Sequence, residues 1–497
     1  MSDVLVKPAF QSTYPDTGDT TKLGPTAWNA PRLFSGGNDG ELLIRRTAAG
    51  TGAAWEPWAY FKPPVFASWF PYRISPDPTT GDPTVYNTNG SAFDVSQLAP
   101  AIGTTYYVSN SATNGYAVGN AGNNGLSKST PKALMTEALA LAVSGDAILI
   151  NPGTYSKDES GMTITGGKTL TIKGDGGFAV LSSHALPTLL TWTLTSGATA
   201  TYQTTRSATI SVWDASVLDS NGDYTRLVPA GAFGGTGDLT AGQSFVSGST
   251  VYVRTSDSRN LTIAGNNATV RVMVSQNLFS ATGANTVYVE QLDLQGGTNP
   301  AIVANNSATP ARLYMKNCRV RYGGSGNGLS ATGAITVVQD SLAAQNFHDG
   351  FNYHIGANSV PCQSLEINNT GRDNGFAGDN INNGSTTHDG NAIVRVGGQY
   401  YRNNGPNVVD VGTSTVSWSV GVGAWGSTAV ASIQNANFQS QATGGMWLDS
   451  CWGGQTDTVT GKYQFVVSVA AGAALRFRAF NGDLAFSQDS GTILRAY

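Results

Sequence analysis

The sequence predicts an all-β chain built on a right-handed parallel β-helix, a single-stranded solenoid with a small module before it and a short β segment after it. Three observations lead there: one strand pattern recurring at solenoid spacing, a composition rich in turn formers, and a single convincing helix in 497 residues.

The repeat carries most of the inference. Six segments align on one position: "VYVEQLDL", "LYMKNCRV", "TVVQDSLA", "LEINNTGR", "VRVGGQYY" and "ASIQNANF", anchored at Gln291, Asn317, Asp340, Asn369, Gly398 and Asn435. The anchors lie 26, 23, 29, 29 and 37 residues apart. Two residues before them stand Val289, Met315, Val338, Ile367, Val396 and Ile433, and four before stand Val287, Leu313, Thr336, Leu365, Val394 and Ala431. The residues between are mostly polar. Such alternation is that of a half-buried strand. The irregular spacing implies one such strand per turn with loops of variable length. An anchor column of Asn, Gln and Asp implies side-chain amides bonding up a stack at a bend. A β-sandwich is the alternative, but sandwiches rarely hold one phase over six consecutive segments.

Charged residues make up only 12% of the chain, while glycine numbers 61 and 40% is apolar, which suits short strands joined by tight turns and argues against disorder. A net charge of −4 without Lys/Arg clusters gives no footprint for nucleic acid. Cys318, Cys362 and Cys451 are too few for a disulfide scaffold. The N-terminal stretch lacks the features of a signal peptide, and no apolar run reaches the roughly 20 residues of a membrane span.

Along the chain, residues 1–55 read as a separate module and 56–103, rich in Pro and aromatics, as a semi-rigid neck. The β-helix is expected over 104–450 and a C-terminal β cap or trimerisation segment over 451–497. "TPKALMTEALALAVSGD" predicts a helix over 130–146, with Thr130 as N-cap and Pro131 at the first helical position.

Tyr106 to Tyr155, with "YYVSN", "NNGLSKSTP" and "ALMTEALALAVSGDAILINPGTY", resembles the entry to pectate-lyase-like parallel β-helix proteins, in which a short helix caps the coil. Ser211–Arg259 is similar to a β insertion found in some of them, placed here near 196–260. The N-terminal "GDTTKLGPTAWNAP…GELLIRR…GAAW" resembles the particle-anchoring heads of bacteriophage tail fibres and tailspikes. That resemblance implies a homotrimer, attached through residues 1–55 to virion tail or head proteins and released from the host cytoplasm by lysis. It also implies a coil flank that binds a bacterial surface polysaccharide.

Acidity concentrates in one window. Between Asp340 and Asp389 lie six acids and one basic residue, Arg372. Successive turns of a β-helix stand about 4.8 Å apart, which places carboxylates near the roughly 5 Å or 6.5–9.5 Å separations of retaining and inverting glycosidases. Asp349, Glu366 and Asp373 are the first catalytic candidates, with Asp379, Asp389 and His388 in reserve, and His354 nearby. Competing structural readings stand beside them. Asp349-Gly350 and Asp389-Gly390 are turn dipeptides, and Glu366 shares an outward column with Arg395 as a surface ion pair. Tyr353, Phe376, Trp418, Trp425 and Trp447 are candidates for stacking on sugars, against core or interface packing as the alternative. The spacings match no zinc or EF-hand pattern, so no metal and no cofactor are expected, with a calcium ion in the acidic loops as the alternative.

The readings that follow are a spike that binds and also hydrolyses a polysaccharide, a fibre or head spike that only binds, and a free polysaccharide-active enzyme. Lyase chemistry ranks below hydrolysis, because the acidic window is poor in Lys and Arg. The repeated His-Asp-Gly (348–350 and 388–390) is not in register with the anchors and is not a duplicated catalytic pair.

Overall fold

The structure, a computed structural model, describes residues 60, 62–304, 309–376, 382–427, 436–454, 465–467, 473–478, 481–482, 486–488 and 492–495. The expected anchoring module over 1–55, Asp379 and Asn435 fall outside these residues.

Three parallel sheets of 12, 10 and 10 strands, counted among the described residues, wind into a right-handed β-helix. A typical turn runs Ala334–Gln339 in the first sheet, Leu342–Ala344 in the second and Phe351–His354 in the third. The first five segments of the repeat read from the sequence are first-sheet strands. Its companions are only three or four residues long here, too short to show their own periodicity.

The corner between the first and second sheets explains the anchor column. Gln291, Asn317, Asp340, Asn368, Gly397, Gly421 and Ser450 all take positive φ, between 47° and 65°. Amide, carboxylate and glycine residues tolerate this left-handed conformation better than branched ones. The strand register pairs Gln339 with Ile367 and Ile367 with Val396, so Asp340 lies beside Asn368 and not Asn369. The fourth and fifth segments are therefore aligned one residue out, and the sixth is misplaced: the first sheet continues at Val416–Val420, while Phe438, which ends that segment, opens a third-sheet strand. A slip of one exchanges the two faces of a strand. The inward column runs Val289, Met315, Val338, Glu366, Arg395, Ser419 and Leu448.

The slip has a physical origin. In these turns the outward column is apolar as well: Tyr288, Tyr314, Val337, Leu365, Val394, Trp418 and Trp447. It is covered by the segment expected to be a neck. Phe66, Phe70, Phe93 and Val95 pack on that face, and Gln339 Oε1 accepts a hydrogen bond from Val95 N (2.8 Å). The segment is thus a strap along the coil, not a spacer projecting from it.

Asparagines do stack, but at the other end of the second-sheet strands. Asn346, Asn374, Asn403, Asn407 and Asn437 are all buried, and each passes its Nδ2 to the Oδ1 of the next at 2.8–2.9 Å. The capping helix is Met135–Leu141, shorter than expected. A bridge between Val108 and Lys132 holds the chain extended past Thr130 and Pro131, so neither opens the helix. Met135, Ala138 and Leu139 bury against the first turns. The insertion is a mainly antiparallel unit within 192–274, with its own core of Trp192, Tyr202, Val251 and Leu261. The described strands beyond residue 450, such as Ala474–Arg478 and Thr492–Arg495, continue the first sheet in parallel, so they extend the coil and are not a separate cap. All three cysteines are buried thiols.

Candidate functional site

Glu366, expected on the surface, lies inside the coil with its side chain closed off from solvent. Tyr353 and Ser385 donate hydroxyls to Oε1 at 2.8 and 2.9 Å, and Tyr400 donates to Oε2. Arg395, also interior, donates from Nε to Ser385 Oγ and from Nη2 to Thr387 Oγ1, each at 2.9 Å. Asp410 takes a bond from Ser417 and stands 3.8 Å from Arg395 Nη1. Burial pushes its carboxyl up to about 6. Charges survive in an interior only when hydrogen bonds replace water; this network supplies them except at Arg395 Nη1 and Asp410 Oδ1, which are buried without a hydrogen-bond partner. No polysaccharide reaches it. The assignments of Glu366 as a catalytic or surface group and of Tyr353 as a sugar-stacking ring are therefore corrected: both are core.

The third sheet, from its entry at Asp349 to its exit at His354, His388 and Asp389, does gather other nominated residues. Asp349 is buried, and its oxygens accept from Asn383 N (2.7 Å) and Asn352 Nδ2 (2.5 Å). Burial pushes its carboxyl up to about 6. His388 lies next to Asn352, and burial pushes its imidazole down to about 4. Its ring stacks on His354 at 4.1 Å, and His354 Nδ1 stands 3.2 Å from the exposed Asp389 carboxylate. Asp389 takes φ 60°, as its turn dipeptide implies. His354, His388 and Asp389 bring three ligand atoms within 4.8 Å. The two imidazoles, however, lie nearly parallel, 12° apart, so their in-plane lone pairs run side by side and do not converge on one point.

Asp373 faces the outside of the second sheet. There Arg402 clamps it with two bonds of 2.7 and 2.8 Å and Arg372 adds a third at 2.8 Å. Next to it a file of half-buried rings climbs the coil. Tyr401 stacks on Trp425 at 4.4 Å, and Trp425 on Trp452 at 4.9 Å, with planes 9° and 15° apart. Trp425 thus lies on an accessible flank. Trp418 does not: it is buried under Phe66 and Phe70, with Nε1 bonded to Asp449. Trp447 belongs to the same strap contact through Phe66. For these two, packing is the reading that holds.

The insertion forms a wall along this flank. Tyr224 stacks on Tyr322 of the coil at 5.0 Å, and Trp213 packs on both Tyr322 and Phe376. Asp223, buried in the seam, bridges Arg321 (2.7 Å) and Arg372 (2.6 Å), and Arg321 also holds Asp293. Phe376 carries the Arg226 guanidinium 3.9 Å above its ring. Sequence reasoning found Phe376 and Trp425, noted Trp452 as a nearby ring, and missed Tyr401, Arg402 and Arg226. Tyr401 and Arg402 stand three and four residues after the fifth anchor, Gly398, yet nothing in the sequence tells which turns the insertion covers. Two clefts among the described residues, of about 590 Å³ beside Tyr72 and Trp418 and about 820 Å³ beside the capping helix, lie away from these carboxylates.

No protein family and no curated protein matches the sequence. Among solved structures the chain is similar to pectate lyase Pel9A, at 14% identity and TM-score 0.44 over 80% of each chain. It is similar to a lacto-N-biosidase from Eubacterium ramulus, at 10% and 0.32 over 79% of this chain and 68% of that one. It is also similar to the tailspike protein of Pseudomonas phage LKA1, at 14% and 0.25 over 71% of each. These likenesses are distant, and nothing about residues or activity follows from them.

Proposed function

We propose that the chain is a bacteriophage host-attachment spike, assembled as a homotrimer, whose β-helix flank binds a bacterial surface polysaccharide without cleaving it. The observation that carries the binding is the file Tyr401–Trp425–Trp452 beside the exposed Arg402. It spans three turns, about 10 Å at the usual strand spacing, roughly the length of two sugar rings. Rings give apolar surface for C–H faces and the arginine gives hydrogen bonds for hydroxyls. The virion role rests on the N-terminal resemblance.

Hydrolysis is the weaker reading because each nominated and described carboxylate is already committed. Glu366 is interior, and Asp373 is held by two arginines. Asp349 has the raised pKa of a general acid, but it is buried with both oxygens bonded. Asp389 sits in a turn against His354. Incubation of the purified chain with host capsular or lipopolysaccharide glycan tests both statements. Retention of the glycan with no new reducing ends is expected. New reducing ends that vanish in an Asp349→Asn variant would return the chain to the hydrolases.

A further inference from the structure

Every other arginine in the seam has an anionic partner. Arg321 holds Asp223 and Asp293, Arg372 holds Asp223 and Asp373, and Arg402 holds Asp373. Within the insertion, Arg259 holds Asp214. Arg226 is the exception. It ends the strand Tyr224–Arg226, opposite Trp213, and lies flat on Phe376; among the described residues no carboxylate and no carbonyl meets its guanidinium. Burial pushes it down to about 10, so it remains cationic at neutral pH. Phe347 packs edge-on against Phe376, and His348 packs on Phe347, so the half-buried ring platform continues toward Asp349.

A partly desolvated cation without a counter-ion among the described residues is costly to keep. The Phe376 ring offsets part of this through the attraction of a cation to an aromatic face. It leaves the planar fork of N–H donors unused, and that fork matches a carboxylate or phosphate bidentately. The strand geometry fixes it there: Tyr224, two residues earlier on the same face, is locked by its stack on Tyr322.

We infer that Arg226, backed by Phe376, is an anion-recognition subsite in the seam between insertion and coil, and that the bound glycan is acidic, bearing carboxylate or phosphate groups. This rests on the glycan-binding reading and narrows it.

The test is calorimetric titration of the full chain with three probes: oligogalacturonate, the same oligomer after reduction of its carboxyls, and a glycerol-phosphate oligomer. At least tenfold tighter binding of a charged probe than of the neutral one is expected. Arg226→Gln should abolish that difference and Arg226→Lys should restore part of it. Arg319→Gln, which removes a guanidinium lying over Phe178 elsewhere on the coil, should leave it unchanged. Preference for the carboxylate or for the phosphate probe identifies the source of the anion, and either supports the subsite. Equal binding of charged and neutral oligomers by the wild-type chain overturns the inference and leaves glycan binding standing. An Arg226→Gln variant that folds and keeps the preference overturns it in the same way. Binding of none of the probes overturns the subsite, whereas retention of the host polysaccharide would still support the broader reading.

Discussion

Glu366 keeps its carboxylate against three hydroxyls inside the coil, whereas Asp373 keeps its own on the surface between two arginines. The two acids stand seven positions apart, yet their energetic roles are opposite. Removing one member of a buried charged network strands the rest without water. Glu366→Ala is therefore expected to cost about 3–5 kcal/mol, and Asp373→Asn, a partly exposed pair, under about 1 kcal/mol. Urea unfolding at neutral pH measures both, and equal midpoints would contradict the interior placement. Asp349 and Asp389 show what the sequence does convey at this scale. Their Asp-Gly dipeptides imply turns, and Asp389 has the positive φ of one. Whether such a turn is buried, as at Asp349, depends on neighbours a turn away in space and 34 residues away in sequence, such as Asn383.

At the scale of elements, the first-sheet strands were legible because alternation survives in the early turns, from Val287 to Val338. It was lost where the strap covers the outer face. Leu365 and Val394 are apolar for the strap's sake, and Glu366 and Arg395 are polar within the coil. Both inversions push the alignment the same way, by one residue. The strap itself was unreadable as such, since Pro-rich, aromatic-rich sequence suits an extended spacer as well as a flat covering segment. Its anchors are Phe66 and Phe70, both fully buried and both packed on Trp418. Each should contribute about 3–5 kcal/mol to docking. The double variant Phe66→Ala/Phe70→Ala is expected to expose residues 62–99 to limited proteolysis while the coil's circular dichroism persists. Unchanged cleavage in that stretch would show that the strap does not depend on these rings.

Across the whole molecule, buried titratable groups of opposite sign set the response to pH. Asp349 and Asp410 both titrate near 6 in the fold, above the ordinary carboxyl value of about 4. Below about pH 4 they are protonated in both states and cost nothing. Between about 4 and 6 the unfolded chain releases protons that the folded chain keeps, so their contribution falls as pH rises. His388, lowered to about 4, works the other way: between about 4 and 6.5 the unfolded chain holds the extra proton, and stability rises with pH. Two falling limbs outweigh one rising limb, so stability is expected to decline between about pH 4 and 6 with the net slope of one proton. Asp410→Asn removes one falling limb, so it should match the wild type near pH 4 and exceed it by on the order of 2–3 kcal/mol at pH 7. A variant less stable than wild type at pH 7 would mean that Arg395 needs the ionised carboxylate. None of this coupling shows in composition, because it depends on which side of a strand each acid faces.

The coil, its insertion and its strap place one aromatic file, Tyr401–Trp425–Trp452, on an open flank. The most direct measurement is the affinity of the intact chain for its host's surface polysaccharide, compared with a Trp425→Ala/Trp452→Ala variant. We expect at least a tenfold loss of affinity in the variant, with thermal unfolding unchanged and no reducing ends released by either protein. Undiminished binding by the folded variant would contradict the role given to these rings and move the glycan to another face.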